Sequence, residues 1–146
     1  MDGSEVDRSL ASLVMLSTSL SCAELIAAIP LEPDRSWEKG APRGKHGSTH
    51  RYSGISFSSR VDRAAEPGLQ AQDLLDRLKP VASAVRAFAE QASEADPETT
   101  AVRFWVDYET TTDERGIDLR NEQVRAIADL GAALGVNIDR IRPVVE

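Results

Sequence analysis

Apolar and polar positions alternate in some stretches of this chain, recur at helical spacing in others and lose all period between them. From Leu10 to Ser19 the alternation is apolar on both sides: Val14, Leu16 and Thr18 point one way, Leu13, Met15 and Ser17 the other. A strand apolar on both faces belongs in the middle of a sheet. Ser21-x-x-Glu24 then reads as a capping box, with Leu20 and Leu25 at the staple positions around it. The helix it starts runs through Leu25, Ile26 and Ile29 and stops near Pro30, because the residue before a proline avoids helical geometry. Tyr52 to Arg60 alternates again, Ile55 and Phe57 against Gly54, Ser56 and Ser58, which predicts a strand with one wet face.

Gly68 to Ala95 is helical in period, with Ala71, Leu74 or Leu75, Leu78, Ala82, Val85, Phe88 and Ala92 on one stripe. Pro80 interrupts it and predicts a kink, or two helices sharing a face. Val102, Phe104, Val106 and Tyr108 alternate with Arg103, Trp105, Asp107 and Glu109, a strand pattern. Thr110 to Arg115 reads as a polar turn and Gly116 to Leu119 as a short strand. Asn121 is then placed to cap a last helix through Val124, Ile127, Ala128, Leu130 and Leu134, with Gly135 at its left-handed stop. Val136 to Ile141 closes as a strand. Between the first helix and the second strand, Leu31 to His50 keeps neither period. A loop of about 20 residues is long enough to expect a function of it, or disorder.

Amphipathic helices with a sheet wet on one face predict an α+β, two-layer sandwich: a mixed, mostly antiparallel sheet of four to five strands with helices on one face, a variant of the ferredoxin-like arrangement. No Gly-rich turn joins the first strand to its helix, which speaks against the nucleotide-binding α/β folds. Residues 1–8 are expected to be a flexible tail and residues 9–146 one domain.

Composition narrows the class without naming an activity. The 146 residues are 41% apolar and 28% charged, so collagen, coiled coil, wholesale disorder and a disulfide scaffold are excluded. The net charge of −7 disfavours nucleic acid and anionic membranes as general partners. Leu10 to Leu20, with Cys22 behind it, passes for a secretion signal, but Asp2, Glu5 and Asp7 outweigh Arg8 where such a signal is positive. The expected setting is the cytoplasm, which the lone cysteine fits.

Several segments, in order, resemble the bacterial family known as domain of unknown function 4279. They are the opening apolar strand, the helix ending at Ile29-Pro30, and Pro33-Asp34-Arg35-Ser36-Trp37-Glu38-Lys39-Gly40. The Leu74-Leu75-x-x-Leu78-x-Pro80 stretch and the Leu130-Gly131-x-x-Leu134-x-Val136-x-Ile138-Asp139 ending complete the match. The Trp-x-Lys-Gly loop is the most specific of these. Where the family usually carries a second Trp or aromatic after that loop, this chain has Tyr52 and Phe57. The resemblance implies a compact α+β domain, brings no catalytic residues, and leaves room for a role beside toxin systems.

Each chemical motif has a simpler explanation. Cys22 shares a helix face with Leu25, Ile26 and Ile29 and is expected in the core. His46 and His50 stand four apart, but in a Gly-Ser-Thr loop with no further ligands, so no metal is expected. Gly40-Ala41-Pro42-Arg43-Gly44-Lys45-His46 imitates a phosphate loop with the wrong spacing and no Ser or Thr after the Lys. Asp107 and Glu109 share a polar strand face, as solvated acids commonly do. No catalytic residue and no cofactor are expected.

The charge arrangement is more distinctive. Residues 39–63 hold Lys39, Arg43, Lys45, Arg51, Arg60 and Arg63 against Asp62 alone, while residues 90–114 hold eight acids against Arg103. Such a polar surface steers and orients an oppositely charged partner, and Trp37 and Tyr52 flank the basic loop as interface anchors, the other reading of Trp37 being that it pins the loop onto the core. The expected function is a non-enzymatic protein-interaction domain, engaging a toxin-like partner as an immunity-type protein would. Its contact residues are Arg35, Trp37, Lys39, Arg43, Lys45, Arg51 and Tyr52, with the acidic 90–114 surface as the other candidate face. The alternative is a small anionic-ligand-binding domain or enzyme with a pocket under loop 31–51, whose mark is a concave, partly apolar site. RNA binding on an open sheet face is a third reading, weakened by Asp107 and Glu109 beside Trp105.

Overall fold

The computed structural model describes residues 7–45, 47–96, 98, 100–111 and 116–141. In chain order the elements are β1 (Arg8–Ser17), α1 (Cys22–Ala28), β2 (Arg35–Trp37), β3 (Pro42–Arg43), β4 (Ser48–Thr49) and β5 (Ser53–Ser58). Then follow α2 (Pro67–Leu78), a 3-10 turn at Lys79–Val81, α3 (Ala82–Ala95), β6 (Val102–Thr110), α4 (Asn121–Asp129) and β7 (Ala133–Arg140). Five strands form one sheet in the order β2-β5-β1-β6-β7, antiparallel except for the parallel β6–β7 pair, while β3 and β4 form a separate two-stranded hairpin. The fold is a two-layer α+β sandwich.

β1 lies at the centre, as its two apolar faces require. Ala11, Leu13 and Met15 point to the helix layer and are fully buried with Ile55, Phe57, Phe104 and Val106 of the neighbouring strands and Leu74, Leu78 and Val85 of the helices. Each of these side chains larger than alanine contributes about 1.5–3 kcal/mol by leaving water. The strand runs from Arg8 to Ser17 rather than from Leu10 to Ser19. At its start the Asp7 carboxylate accepts from the Tyr108 hydroxyl (3.0 Å) and the Thr111 N–H (3.2 Å). At its end Ser17 Oγ accepts the N–H groups of Ser19 and Leu20, which turns the chain out of the sheet toward α1.

The capping box forms as expected, with Ser21 Oγ accepting from the Glu24 N–H and Glu24 Oε1 from the Ser21 N–H, both at 3.1 Å. The buried stripe of α1 is narrower than its sequence implies: Leu25 and Ile29 are buried and Cys22 is half-buried against the core, but Ile26 is exposed. Pro80 divides the long helical segment, sitting in the 3-10 turn between α2 and α3.

Four expectations need correction. First, loop 31–50 is no free excursion, because it contains the edge strand β2 and the β3–β4 hairpin. Secondly, β5 has no wet face. Ser53, Gly54 and Ser56 are buried like Ile55 and Phe57, since the Trp37 indole lies on Gly54, where a Cβ would meet the ring at 2.3 Å. Thirdly, Gly116 to Leu119 is not a strand; Ile117 and Leu119 pack on the core, and Asp118 lies against Gly68 at the start of α2.

Fourthly, the last helix is shifted and shorter than expected. Arg120 is its N-cap residue, and Gln123, three positions on, reaches back to the Arg120 N–H (2.9 Å). The left-handed stop is Gly131 (φ 73°), so Leu134 and Gly135 belong to β7. Of the polar turn expected after Glu109, Thr110 is the buried last residue of β6, and residues 112–115 lie outside those described. Most of the expected tail, residues 1–6, lies outside them too.

Candidate functional site

Loop 31–51 is fastened to the fold residue by residue. Asp34 is its first anchor: the carboxylate accepts from Arg77, from Arg60 (3.2 Å) and from the Ser58 N–H (2.8 Å). Burial alone would raise its pKa. The hydrogen bonds from Arg77, Ser58 and Arg60 outweigh that and hold it below the ordinary carboxylate value of 3.8. Arg77 lies over the Phe57 ring at 5.7 Å and also donates to the Ser58 and Glu32 carbonyls. Arg35, Ser36 and Trp37 then pair with Ser56, Ile55 and Gly54 of β5. Glu38 accepts the Cys22 N–H at 2.7 Å, adding a carboxylate at the N-terminus of α1.

Beyond Gly40 the chain folds into the β3–β4 hairpin, turned by Gly44 and Gly47 in the left-handed region (φ 70° and 75°). The His50 N–H to Ala41 carbonyl and Gly40 N–H to His50 carbonyl bonds close its base. The hairpin stands beside the sheet face that carries Leu16, Gly54, Trp37 and Trp105, opposite the helix layer.

Between hairpin and sheet is a broad cleft of about 520 Å³. Leu16, Trp37 and Tyr52 give it apolar surface, and Trp37 stacks on His50 with ring centres 5.9 Å apart. Arg35, Arg43 and Arg51 line it as well. All three are exposed, and among the described residues no carboxylate lies within ion-pair distance of any of them. Guanidinium groups beside aromatic rings, with no internal counter-charge, suit a carboxylate or phosphate attached to an apolar body.

The structure brings together Arg35, Trp37, Arg43, Arg51 and Tyr52. Lys39 is turned away, its backbone N–H to Ser53 Oγ (3.0 Å) and its ammonium to the Thr18 carbonyl (3.4 Å). Lys45 is exposed in the hairpin turn outside the cleft. Trp37 is at once a packing residue over Gly54 and a wall of the site. Leu16 and His50 join the lining without having been singled out as contacts. Leu16 is legible from the two-faced pattern of β1, whereas His50 carries no local signal. His46, its expected neighbour, lies outside the described residues, among which no group of three or more His, Cys, Asp or Glu side chains could hold a metal.

The charge windows separate in space. Arg60 is paired with Asp34, and Arg63 donates to the Ser9 carbonyl (3.0 Å), so neither belongs to the cleft. Of the acidic window, Glu90 and Glu94 lie on α3 in the helix layer, while Asp107 and Glu109 lie on the opposite face of the sheet. Asp113 and Glu114 lie outside the described residues. A second depression, about 310 Å³ between α2 and α4, is lined by Gln72 and Gln123, which bond to each other and to Arg120 and the Gly68 carbonyl. Their polar groups are committed to the fold.

Fold and site together define a two-layer α+β domain with a cationic cleft on the sheet face its helices leave uncovered. The chain belongs to the family described as Domain of unknown function (DUF4279), whose model matches residues 5–140. No curated protein and no solved structure matches it. No helix among the described residues is long and apolar enough to cross a membrane.

Proposed function

We propose that this protein is a non-enzymatic interaction domain that holds an acidic segment of a protein partner in the cationic cleft. The observation that carries the reading is the convergence of Arg35, Arg43 and Arg51 on Trp37 and Tyr52 with no carboxylate of the described residues within ion-pair distance of them. Three uncompensated guanidinium groups repel one another, and an anionic partner relieves that repulsion. The breadth of the cleft suits a chain segment crossing it, with Trp37 as the aromatic anchor. A toxin-like protein is such a partner if it presents acids on an exposed segment. The unpaired thiol of Cys22 suits a cytoplasmic setting.

A second reading, a small carboxylate- or phosphate-bearing ligand, is favoured by the concavity and by the apolar patch of Leu16 and Trp37. Calorimetry with a Glu/Asp-rich peptide and with inorganic phosphate separates the two. The peptide is expected to bind at low salt and to weaken as ionic strength rises from about 0.1 M to about 1 M, where the Debye length falls from about 10 Å to about 3 Å. Arg43→Glu combined with Arg51→Glu is expected to abolish binding while melting stays within about 0.5 kcal/mol of wild type, as at other exposed sites. Phosphate that binds in the cleft while the peptide does not favours the second reading. A wild-type protein that binds neither refutes both.

A further inference from the structure

The sheet ends at β7, and its outer side has no partner strand among the described residues. Leu134, Val136 and Ile138 are 42%, 45% and 49% exposed, and they alternate along one face of this eight-residue strand. The other exposed large apolar residues, Ile26, Val61, Leu69 and Val124, are scattered over three helices and a loop. The register with β6 places 134, 136 and 138 beside Phe104, Val106 and Tyr108, so the apolar row continues the core face of the sheet to its rim. A long edge strand with unpaired backbone groups, no proline and an apolar row is a template for another strand.

We infer that β7 pairs antiparallel with β7 of a second copy, about a two-fold axis through Val136, to give one continuous ten-stranded sheet. Directly opposed residues in an antiparallel pair share a face. With the axis at Val136, that residue meets its own copy and Leu134 meets Ile138, so all three apolar side chains are matched. Moving the axis one residue either way leaves Leu134 facing Arg140 or Ile138 facing Ala132.

The charges select the same register. On the uncovered face Asp139 then lies opposite Ala133 of the second copy. The inner neighbour of Ala133 on that face is Arg103 of β6. Arg103 lies over the Trp105 ring at 5.8 Å, and no carboxylate stands within ion-pair distance of it among the described residues. The small alanine lets each Asp139 reach toward an Arg103, twice by symmetry. No like charges are opposed across the strand pair.

The test is sedimentation velocity on the full chain from about 1 μM to about 300 μM, a range that brackets a weak self-association. Wild type is expected to pass from monomer to dimer. Val136→Lys, which sets two ammonium groups opposite each other on the axis, is expected to raise the dimer Kd at least about tenfold. Asp139→Arg is expected to weaken the dimer, and adding Arg103→Asp to restore it. As a check independent of folding changes, Val136→Cys with Cys22→Ser is expected to form a 136–136 disulfide on oxidation. Opposed Cα atoms of an antiparallel pair stand about 4.5–5.5 Å apart, within disulfide reach. Wild type that stays monomeric throughout, a dimer indifferent to Val136→Lys, or the absence of that cross-link overturns the inference.

Discussion

The two edges of the sheet carry the same device in opposite orientations. At one edge, Trp37 of the edge strand β2 lies on Gly54 of the inner strand β5; at the other, Trp105 of the inner strand β6 lies on Gly135 of the edge strand β7. Both contacts occupy the face without helices, and in both a Cβ on the glycine would come within 2.3 Å of the indole. The difference lies in which strand supplies the ring. β2 is three residues long and brings its ring, its Asp34 anchor and the cationic hairpin to a buried glycine. β7 is eight residues long, brings only a glycine, and stays exposed along nearly its whole length. One edge is blunted by its own loop, which walls the cationic cleft; the other is left as an open strand.

The largest test of that contrast is Gly54→Ala. Its methyl group is blocked by a ring stacked on His50 and held by the β2–β5 pairing, so the indole has to leave and take β2 with it. A loss of about 3 kcal/mol is expected, the upper part of the overpacking range, read as a lower urea midpoint. The cationic cleft should fail in the same variant, with peptide binding lost before the protein unfolds.

Asp34→Asn comes next, at about 1–2 kcal/mol near neutral pH, because it removes the charged acceptor that Arg77 and the Ser58 N–H share. The folded pKa of Asp34 is depressed, so its contribution is complete above the ordinary value of 3.8 and fades as pH falls through the lower, folded value. Wild type should therefore lose its advantage over Asp34→Asn on acidification below about pH 4. Urea midpoints of both proteins at pH 7 and pH 3 check this, and a constant difference between them would contradict it.

The same contrast explains what the sequence discloses. β1, the α1 capping box, the Pro80 break and β6 are legible because their signals are local: alternation, an S-x-x-E spacing, a missing N–H. β2 is illegible because three residues, Arg35-Ser36-Trp37, are too few to show a period, and their pairing is with β5 some 20 residues on. Gly54 and Ser56 read as a wet face because what covers Gly54 is a ring from elsewhere in the chain. Gly135 imitates a helix stop because Leu134 continues the spacing of Ile127 and Leu130, although the chain has already turned at Gly131. The cleft is half legible on similar grounds. A run of cations points to the right loop, but summing charge along the chain cannot separate Arg43 and Arg51 in the cleft from Arg60 and Arg63, which the fold absorbs.

Gly135→Ala closes the comparison with the smallest effect, about 1 kcal/mol or less in a dilute sample. The steric conflict is as close as at Gly54, but the two rings differ in what holds them. Trp105 is half-buried, and the group over it is the exposed Arg103, so ring and guanidinium can swing toward solvent together. Trp37 has the stacked His50 against it and the cleft wall to maintain. Near-ultraviolet circular dichroism should therefore report a disturbed indole in both variants, while the urea midpoint falls appreciably in only one. Equal losses of stability would mean that β7 is held as firmly as β2, and the two edges would no longer differ in the way that leaves one of them open.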